Sequence, residues 1–283
     1  MFRGGVAMVR VDAQVVDGHR VLGNLTQEDF AVYDEGRPQK TEYFGRESDR
    51  VDLLLLLDVS GSMHRYLEQM AAVAREALEQ LREGDRVSVM LFARRTQVRE
   101  PFTEDFKEIA REIGEAVHES GLGSGTAINA AVTDAASYAG SQPPRGRRAV
   151  LILTDNLGLN YQLPDEVVVR ALSEADCVLN AMVAGKGERP KPPRPGQRLN
   201  PDFTPSDVFR LAEETGGEAV KADRVDTTFR QTVERLRTRY SMHYRAPESP
   251  AGAFHRIRVE LAPEARRRYP RALIRTRSGY YAK

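Results

Sequence analysis

VDLLLLLDVSGSM, residues 51 to 63, decides the fold of this chain. Leu53 to Leu57 run without a polar break into Asp58. A strand with one wet face alternates apolar and polar residues, so an unbroken apolar run reads as a strand covered on both faces, the mark of a parallel sheet between two layers of helices. The run then stops at Asp58 and places Ser60 and Ser62 at alternate positions. A turn needs polar residues but not this set. Three small oxygen-bearing side chains in five residues suit something hard and positive.

The segments downstream support the layered reading. Leu67, Met70, Ala71, Ala74, Leu78 and Leu81 recur at helical spacing. RVSVMLFA reads as a strand, TQVREPF as a short strand and EDFKEIAREIGEAVHES as a helix. TAINAAVTDAASYAG is helical, RRAVLILTD a strand, LPDEVVVRALSEA a helix and CVLNAMVAG a strand. SDVFRLAEETGG, EAVKA and DTTFRQTVERLRTRY add helix, short strand and helix. Alternation of this kind predicts a doubly wound, mostly parallel α/β sheet of the Rossmann-like type.

Both chain ends differ from the middle. VRVDAQVVDGHRVLG has period two at Val9, Val11, Ala13 and Val15, with a turn at Asp17-Gly18. FAVYDEGRPQKTEYF repeats the form, and YSMHYRAP, FHRIRVELA and RALIRTRSGYY are β candidates at the far end. An isolated hairpin is marginal, so the two ends are expected to form one β-sandwich. The predicted organisation is a β flank over 1–48, an α/β domain over 49–238 and a second β flank over 239–283. GERPKPPRPGQRLNPDFTP, between Gly187 and Pro205, holds too many prolines for helix or central strand and reads as an extended loop. It leaves a strand at its carboxyl end and carries or adjoins Lys186, Arg189, Lys191, Arg194 and Arg198, so it is expected to border the Asp58 face and to favour an acidic partner.

A net charge of +1 gives no footprint for nucleic acid or a membrane surface, and no apolar run reaches the ~18 residues of a membrane span. The single cysteine, Cys177, reads as a core residue and leaves the redox compartment undetermined. GLGSG follows a helix rather than a first strand, which excludes a dinucleotide fingerprint. His64 reads as an exposed helix-start residue. Arg145, Arg147 and Arg148 read as a solvated loop at the opposite end of the sheet from Asp58, and EARRRYP as a turn.

In an open α/β sheet, sites form beyond the carboxyl ends of strands, where strand order reverses. Asp58, Ser60 and Ser62 occupy one such end, Asp155 closes AVLILTD at another, and SGLGSGTAINAAV presents Thr126 after a Gly-Ser-Gly turn. Two carboxylates and three hydroxyls suit Mg²⁺, with Mn²⁺ or Ca²⁺ as alternatives, better than zinc, which favours His or Cys.

DVSGS, GSGT and LTD together resemble the metal-ion-dependent adhesion site of the von Willebrand factor type A domain. The pattern of that family falls here on Asp58, Ser60, Ser62, Thr126 and Asp155. The resemblance implies a doubly wound sheet with one antiparallel edge strand, where TQVREPF stands. It also implies direct metal binding by the two serines, direct or water-mediated binding by the others, and an open position for an acidic group of a protein partner. Asn156 stands where the family commonly has Gly. The flanks resemble those of a bacterial group of von Willebrand factor A-related proteins, abundant in acidobacteria, which implies an extracytoplasmic protein, periplasmic or secreted, after loss of a leader absent from this chain. The function so implied is a non-enzymatic, metal-dependent adhesion-type module. Two alternatives stand beside it. One is a Mg²⁺-dependent phosphoryl-transfer hydrolase with Asp58 as nucleophile, weakened because Ser60 stands where a second aspartate would act as general acid. The other is a structural or assembly subunit.

Overall fold

The computed structural model describes residues 8–18, 20–45, 50–143, 145–191, 200 and 204–282. In chain order, the first segment contributes β1 (Met8–Asp17), β2 (Arg20–Val21), β3 (Phe30–Asp34), β4 (Arg37–Gln39) and β5 (Tyr43–Gly45). The middle contributes β6 (Val51–Asp58), α1 (His64–Leu78), β7 (Arg86–Phe92), β8 (Thr96–Thr103), α2 (Phe106–Ala116) and α3 (Ile128–Ser141). It continues with β9 (Arg147–Thr154), α4 (Asp165–Glu174), β10 (Cys177–Ala184), α5 (Val208–Glu214), β11 (Ala219–Ala222) and α6 (Val225–Arg237). The last segment holds β12 (Tyr240–Arg245), β13 (Phe254–Leu261), α7 (Pro263–Arg268), β14 (Leu273–Thr276) and β15 (Gly279–Tyr281). Two compact units result, one of residues 50–236 and one of residues 1–49 with 237–283.

In the central unit the sheet order is β11-β10-β9-β6-β7-β8. All pairs are parallel except β7 with β8, the antiparallel edge. β6 lies inside the sheet with all eight residues buried. Its side chains alternate between two cores. Leu53, Leu55 and Leu57 pack with residues of α1, α2 and α6, while Leu54 and Leu56 pack with residues of α3, α4 and α5. Each buried leucine contributes roughly 2 kcal/mol gross, so the run anchors the sheet without help from its polar end. From β6 the chain moves to β7 and β8 on one side, then returns to build β9, β10 and β11 on the other. The switch point therefore lies between β6 and β9, above Asp58. At the opposite end, Arg86 and Asp52 form a buried bidentate pair at 2.8 and 2.9 Å.

The other unit is a β-sandwich built from both chain ends. One sheet runs β14-β1-β12-β5, with β2 on β1, and the second runs β15-β13-β3-β4. Val9, Val11, Met242 and Tyr244 of the first sheet share a core with Val32, Ile257 and Val259 of the second. Asp34, fully buried, accepts hydrogen bonds from Tyr244 Oη at 2.8 Å and Tyr280 Oη at 2.9 Å and lies 2.8 Å from His255 Nδ1. Burial and the adjoining carboxylate push both tyrosine pKa values up.

Two local expectations need correction. EARRRYP is helical in part: Pro263 starts α7, where its missing N–H costs nothing, and Arg268 pairs with Asp29. Arg147 is buried rather than solvated, and Arg148 is half-buried with its guanidinium on the carbonyls of Ala175 and Gln142. Long apolar stems let arginines cover a strand start while their heads reach backbone oxygens. Arg145 is exposed, as expected. No helix among the described residues is long and apolar enough to cross a membrane.

Asp34→Ala strands two tyrosine hydroxyls between the sheets. It should lower stability by about 3 kcal/mol, read as a reduced urea midpoint for loss of near-UV tyrosine dichroism.

Candidate functional site

β6 ends at Asp58, whose side chain is fully buried. Its Oδ1 accepts the Ser60 N–H at 3.0 Å and its Oδ2 accepts the Thr154 hydroxyl at 2.7 Å. Parallel pairing of Leu57 with Leu153 sets Thr154 beside Asp58. Sequence reading missed Thr154. The signal was a hydroxyl immediately before Asp155 at the end of a neighbouring strand.

Ser60 precedes, and Ser62 lies within, a short 3-10 turn over Gly61–Met63 that leads into α1. Neither the turn nor α1 is capped by a side chain. The serines are therefore not helix caps, the plain alternative for such a motif. Ser62 Oγ instead donates to Asp155 Oδ2 at 2.7 Å and lies 3.4 Å from Ser60 Oγ. Asp155 Oδ1 accepts the Leu157 N–H at 3.1 Å. Four of the five expected residues thus form one hydrogen-bonded group over the switch point.

Thr126 is placed by its backbone against the loop that follows Asp155. The Ala127 N–H donates to Ala93 O at 2.9 Å, tying the start of α3 to the end of β7. Thr126 O lies against Gly158, where a Cβ would approach to 2.5 Å. Among the described residues, no hydrogen bond links the Thr126 hydroxyl to the other four.

Burial pushes the Asp58 carboxyl up to about 6; hydrogen bonds from Ser60 and Thr154 oppose this, and the Asp155 charge adds to it. Among the described residues no cationic side chain pairs with Asp58 or Asp155. Two buried carboxylates without a countercharge, beneath three hydroxyls that reach solvent to differing degrees, fit a hard divalent cation.

Asn156 explains its own departure from glycine. Its φ of +54° is left-handed, a region asparagine tolerates better than most residues. Its amide reaches the start of the proline-rich segment and the start of α5: Nδ2 donates to Glu188 O at 2.9 Å, and Oδ1 accepts the Val208 N–H at 3.3 Å. Gly187 packs against Asp155 O, where a Cβ would approach to 2.1 Å. Asn160 N–H donates to Thr204 O at 2.9 Å, and Ser206 N–H to Gly158 O at 3.1 Å. Both described ends of the segment therefore border the Asp155 loop. Residues 192–199 and 201–203, including Arg194 and Arg198, lie outside the described residues.

Residues 53–158, within the central unit, match the family model of the von Willebrand factor type A domain. Among solved structures, the conserved hypothetical protein BatB of Bacteroides thetaiotaomicron is similar at 20% identity and a TM-score of 0.50, over 66% of this chain and 97% of that one. Proximal thread matrix protein 1 from the mussel byssus, with a zinc-occupied MIDAS motif, is similar at 17% identity and a TM-score of 0.52, over 73% of this chain. The match covers about half of that protein, 50% of its chain. Likenesses at these identities show the fold alone. No curated protein matches the sequence.

Two predictions follow from this geometry. The folded-state pKa of Asp58 lies above its ordinary value of 3.8, so the folded protein holds this proton more tightly than the unfolded chain. Stability of the metal-free protein is therefore full below pH 4 and falls as pH rises towards 6, by roughly 3 kcal/mol. Asp58→Asn, which cannot titrate, should gain on the unmutated protein across that window when thermal unfolding is followed in EDTA; parallel pH curves would contradict the assignment. Asn156→Gly keeps the turn but releases both amide contacts and should cost about 1–2 kcal/mol in urea unfolding. Asn156→Ala should cost about 1 kcal/mol more, because alanine resists a positive φ.

Proposed function

We propose that this von Willebrand factor type A domain binds a protein partner through a divalent cation held by Ser60, Ser62 and Thr126, with Asp58 and Asp155 ligating directly or through water. The observation that carries this reading is the pair of buried carboxylates, Asp58 held by the Thr154 hydroxyl and the Ser60 N–H and Asp155 held by the Ser62 hydroxyl, with no cationic side chain beside them among the described residues. A bound cation, Mg²⁺ in the first instance, would supply a Lewis-acidic position for an acidic group of the partner. The protein's own part is to fix that position. The Thr154 hydroxyl and the Ser60 N–H orient the Asp58 carboxylate, and Leu157 N–H orients that of Asp155. Two carboxylates balance one divalent charge, so affinity for the metal should be modest and a partner carboxylate would be drawn to it.

The phosphoryl-transfer alternative asks Asp58 to attack a substrate. Both its oxygens already accept hydrogen bonds and the side chain is fully buried, which favours a supporting role over a nucleophilic one. Permanent docking in a larger assembly would use the same face. We take the domain limits as 1–48, 49–238 and 239–283, close to the compact units, and place the protein outside the cytoplasm on the resemblance of its flanks.

Calorimetric titration with Mg²⁺ and Mn²⁺ tests the site. Binding at millimolar metal or tighter is expected for the unmutated protein, and Asp58→Ala should abolish it while leaving far-UV dichroism unchanged, because the β6 leucines carry the core. Equal binding by both proteins would refute the assignment.

A further inference from the structure

Two exposed arginines stand at the carboxyl end of the sheet, each stacked on a tyrosine. Arg94 follows β7, and its guanidinium lies 3.9 Å from the centre of the Tyr161 ring. Tyr161 Oη lies against Gly125, 3.2 Å from where a Cβ would stand, and Gly125 directly precedes Thr126. Arg65 lies in the first turn of α1 with its guanidinium 4.5 Å from the Tyr66 ring centre and donating to the Tyr66 hydroxyl. That hydroxyl in turn packs against Gly185, just beyond β10, where a Cβ would approach to 2.6 Å. Among the described residues, neither guanidinium has a carboxylate within ion-pair distance. Other arginines near this end differ: Arg189 pairs with Glu213, and Arg95 donates to Gly121 O.

The sheet order gives the spacing of the strand ends beside which these two platforms stand. β10, β9, β6 and β7 are consecutive neighbours, so Tyr66 with Arg65 borders the β10 end and Arg94 the β7 end. Asp155 and Asp58 lie between them. Four adjacent strands span three gaps of about 4.8 Å, or about 14 Å from β10 to β7. In an extended peptide, residues i and i+4 stand about 13–14 Å apart and point to the same side, with i+2 midway. A guanidinium laid on an aromatic ring keeps its edge N–H groups for a carboxylate and loses little freedom on binding one.

We propose that the strand-end face binds an extended protein segment with acidic side chains at three alternate positions, the central carboxylate at the metal position and the outer two on Arg65 and Arg94. This rests on the metal-dependent binding proposed above and names the chemistry of its partner. Arg65 and Arg94 are specificity-determining residues in this scheme and hold no part of the metal site.

The test uses the full chain and three capped heptapeptides: Ser-Glu-Ser-Glu-Ser-Glu-Ser, the isomer Ser-Ser-Glu-Glu-Glu-Ser-Ser with contiguous acids, and Ser-Ser-Ser-Glu-Ser-Ser-Ser. Affinities are measured by NMR titration in Mg²⁺ and in EDTA. In Mg²⁺ the alternating peptide should bind about fivefold tighter than the single-acid peptide, the gain expected from two partly exposed charge pairs, and tighter than its contiguous isomer. Arg65→Ala and Arg94→Ala should each remove about half of that gain on a logarithmic scale and leave Mg²⁺ affinity and single-acid binding unchanged. Arg94→Lys should recover part of it. If the alternating peptide has no advantage, or keeps it in both alanine variants while Mg²⁺ still binds, the proposal falls and the metal-site reading stands. If the protein binds no Mg²⁺, or binds peptides equally well in EDTA, the underlying reading falls and the proposal with it.

Discussion

A carboxylate buried at the end of an all-apolar strand is the constraint from which the rest of the central unit follows. β6 can be leucine throughout because helices cover both its faces. The same covering confines its polar groups to the two ends, Asp52 with Arg86 at one and Asp58 at the other, where the chain turns to opposite sides of the sheet. Asp58 sits there without exposure, and an ionised carboxylate in such a place is costly unless its oxygens are satisfied. Thr154 and the Ser60 backbone satisfy them in part, and burial still raises the carboxyl's pKa. A second buried carboxylate nearby, Asp155, adds to the cost. The divalent cation proposed for this site would offset that cost.

Packing around the site removes side chains wherever backbones must meet. Gly158 lies on Thr126 O and Gly187 on Asp155 O, with no room for a Cβ at either position. Asn156 does the reverse: it keeps a side chain at a positive φ and uses it to hold Glu188 and Val208. Gly187 and Asn156 thereby fix the loop after β9 against the start of the proline-rich segment and of α5, while Gly158 seats it against Thr126. The described ends of that segment are held from outside it, Glu188 by Asn156 and Thr204 by Asn160.

Much of this was legible in the sequence, and the legible parts share a physical cause. The unbroken run Leu53–Leu57 announced two covered faces, and the helical spacing on α1 announced one of the covering layers. The alternating strands at both ends announced the sandwich. Asp58, Ser60, Ser62 and Asp155 were readable because each closes or follows an apolar strand. Thr154 was not, because a threonine ending a strand is ordinarily a β-branched residue on a pleat, and only the register with β6 turns its hydroxyl to Asp58. The burial of Arg147 and the helical turn at Pro263–Arg268 were hidden for a related reason: clusters of arginine look solvated until a neighbouring element supplies carbonyl oxygens or a carboxylate. The Asp34 network was equally silent, since its tyrosines and histidine come from strands at the far end of the chain.

That last point bears on how the chain reaches its structure. β1 pairs with β12 and β14, and β3 pairs with β13, so every sheet of the sandwich needs strands from both ends. The central unit has no such requirement, because all six of its strands come from one continuous stretch, from Val51 to Ala222. Closing a loop costs entropy that grows slowly with its length, and a folded insert replaces a long flexible loop with a short effective one. A folded middle therefore lowers the entropy cost of the contacts of high sequence separation that the sandwich requires. The Asp34 carboxylate, arriving early on β3, waits for Tyr244, His255 and Tyr280 to supply its partners. A buried acceptor that only the distant strands can satisfy penalises pairings that leave them out, so the same network that holds the two sheets together also selects the register in which they meet.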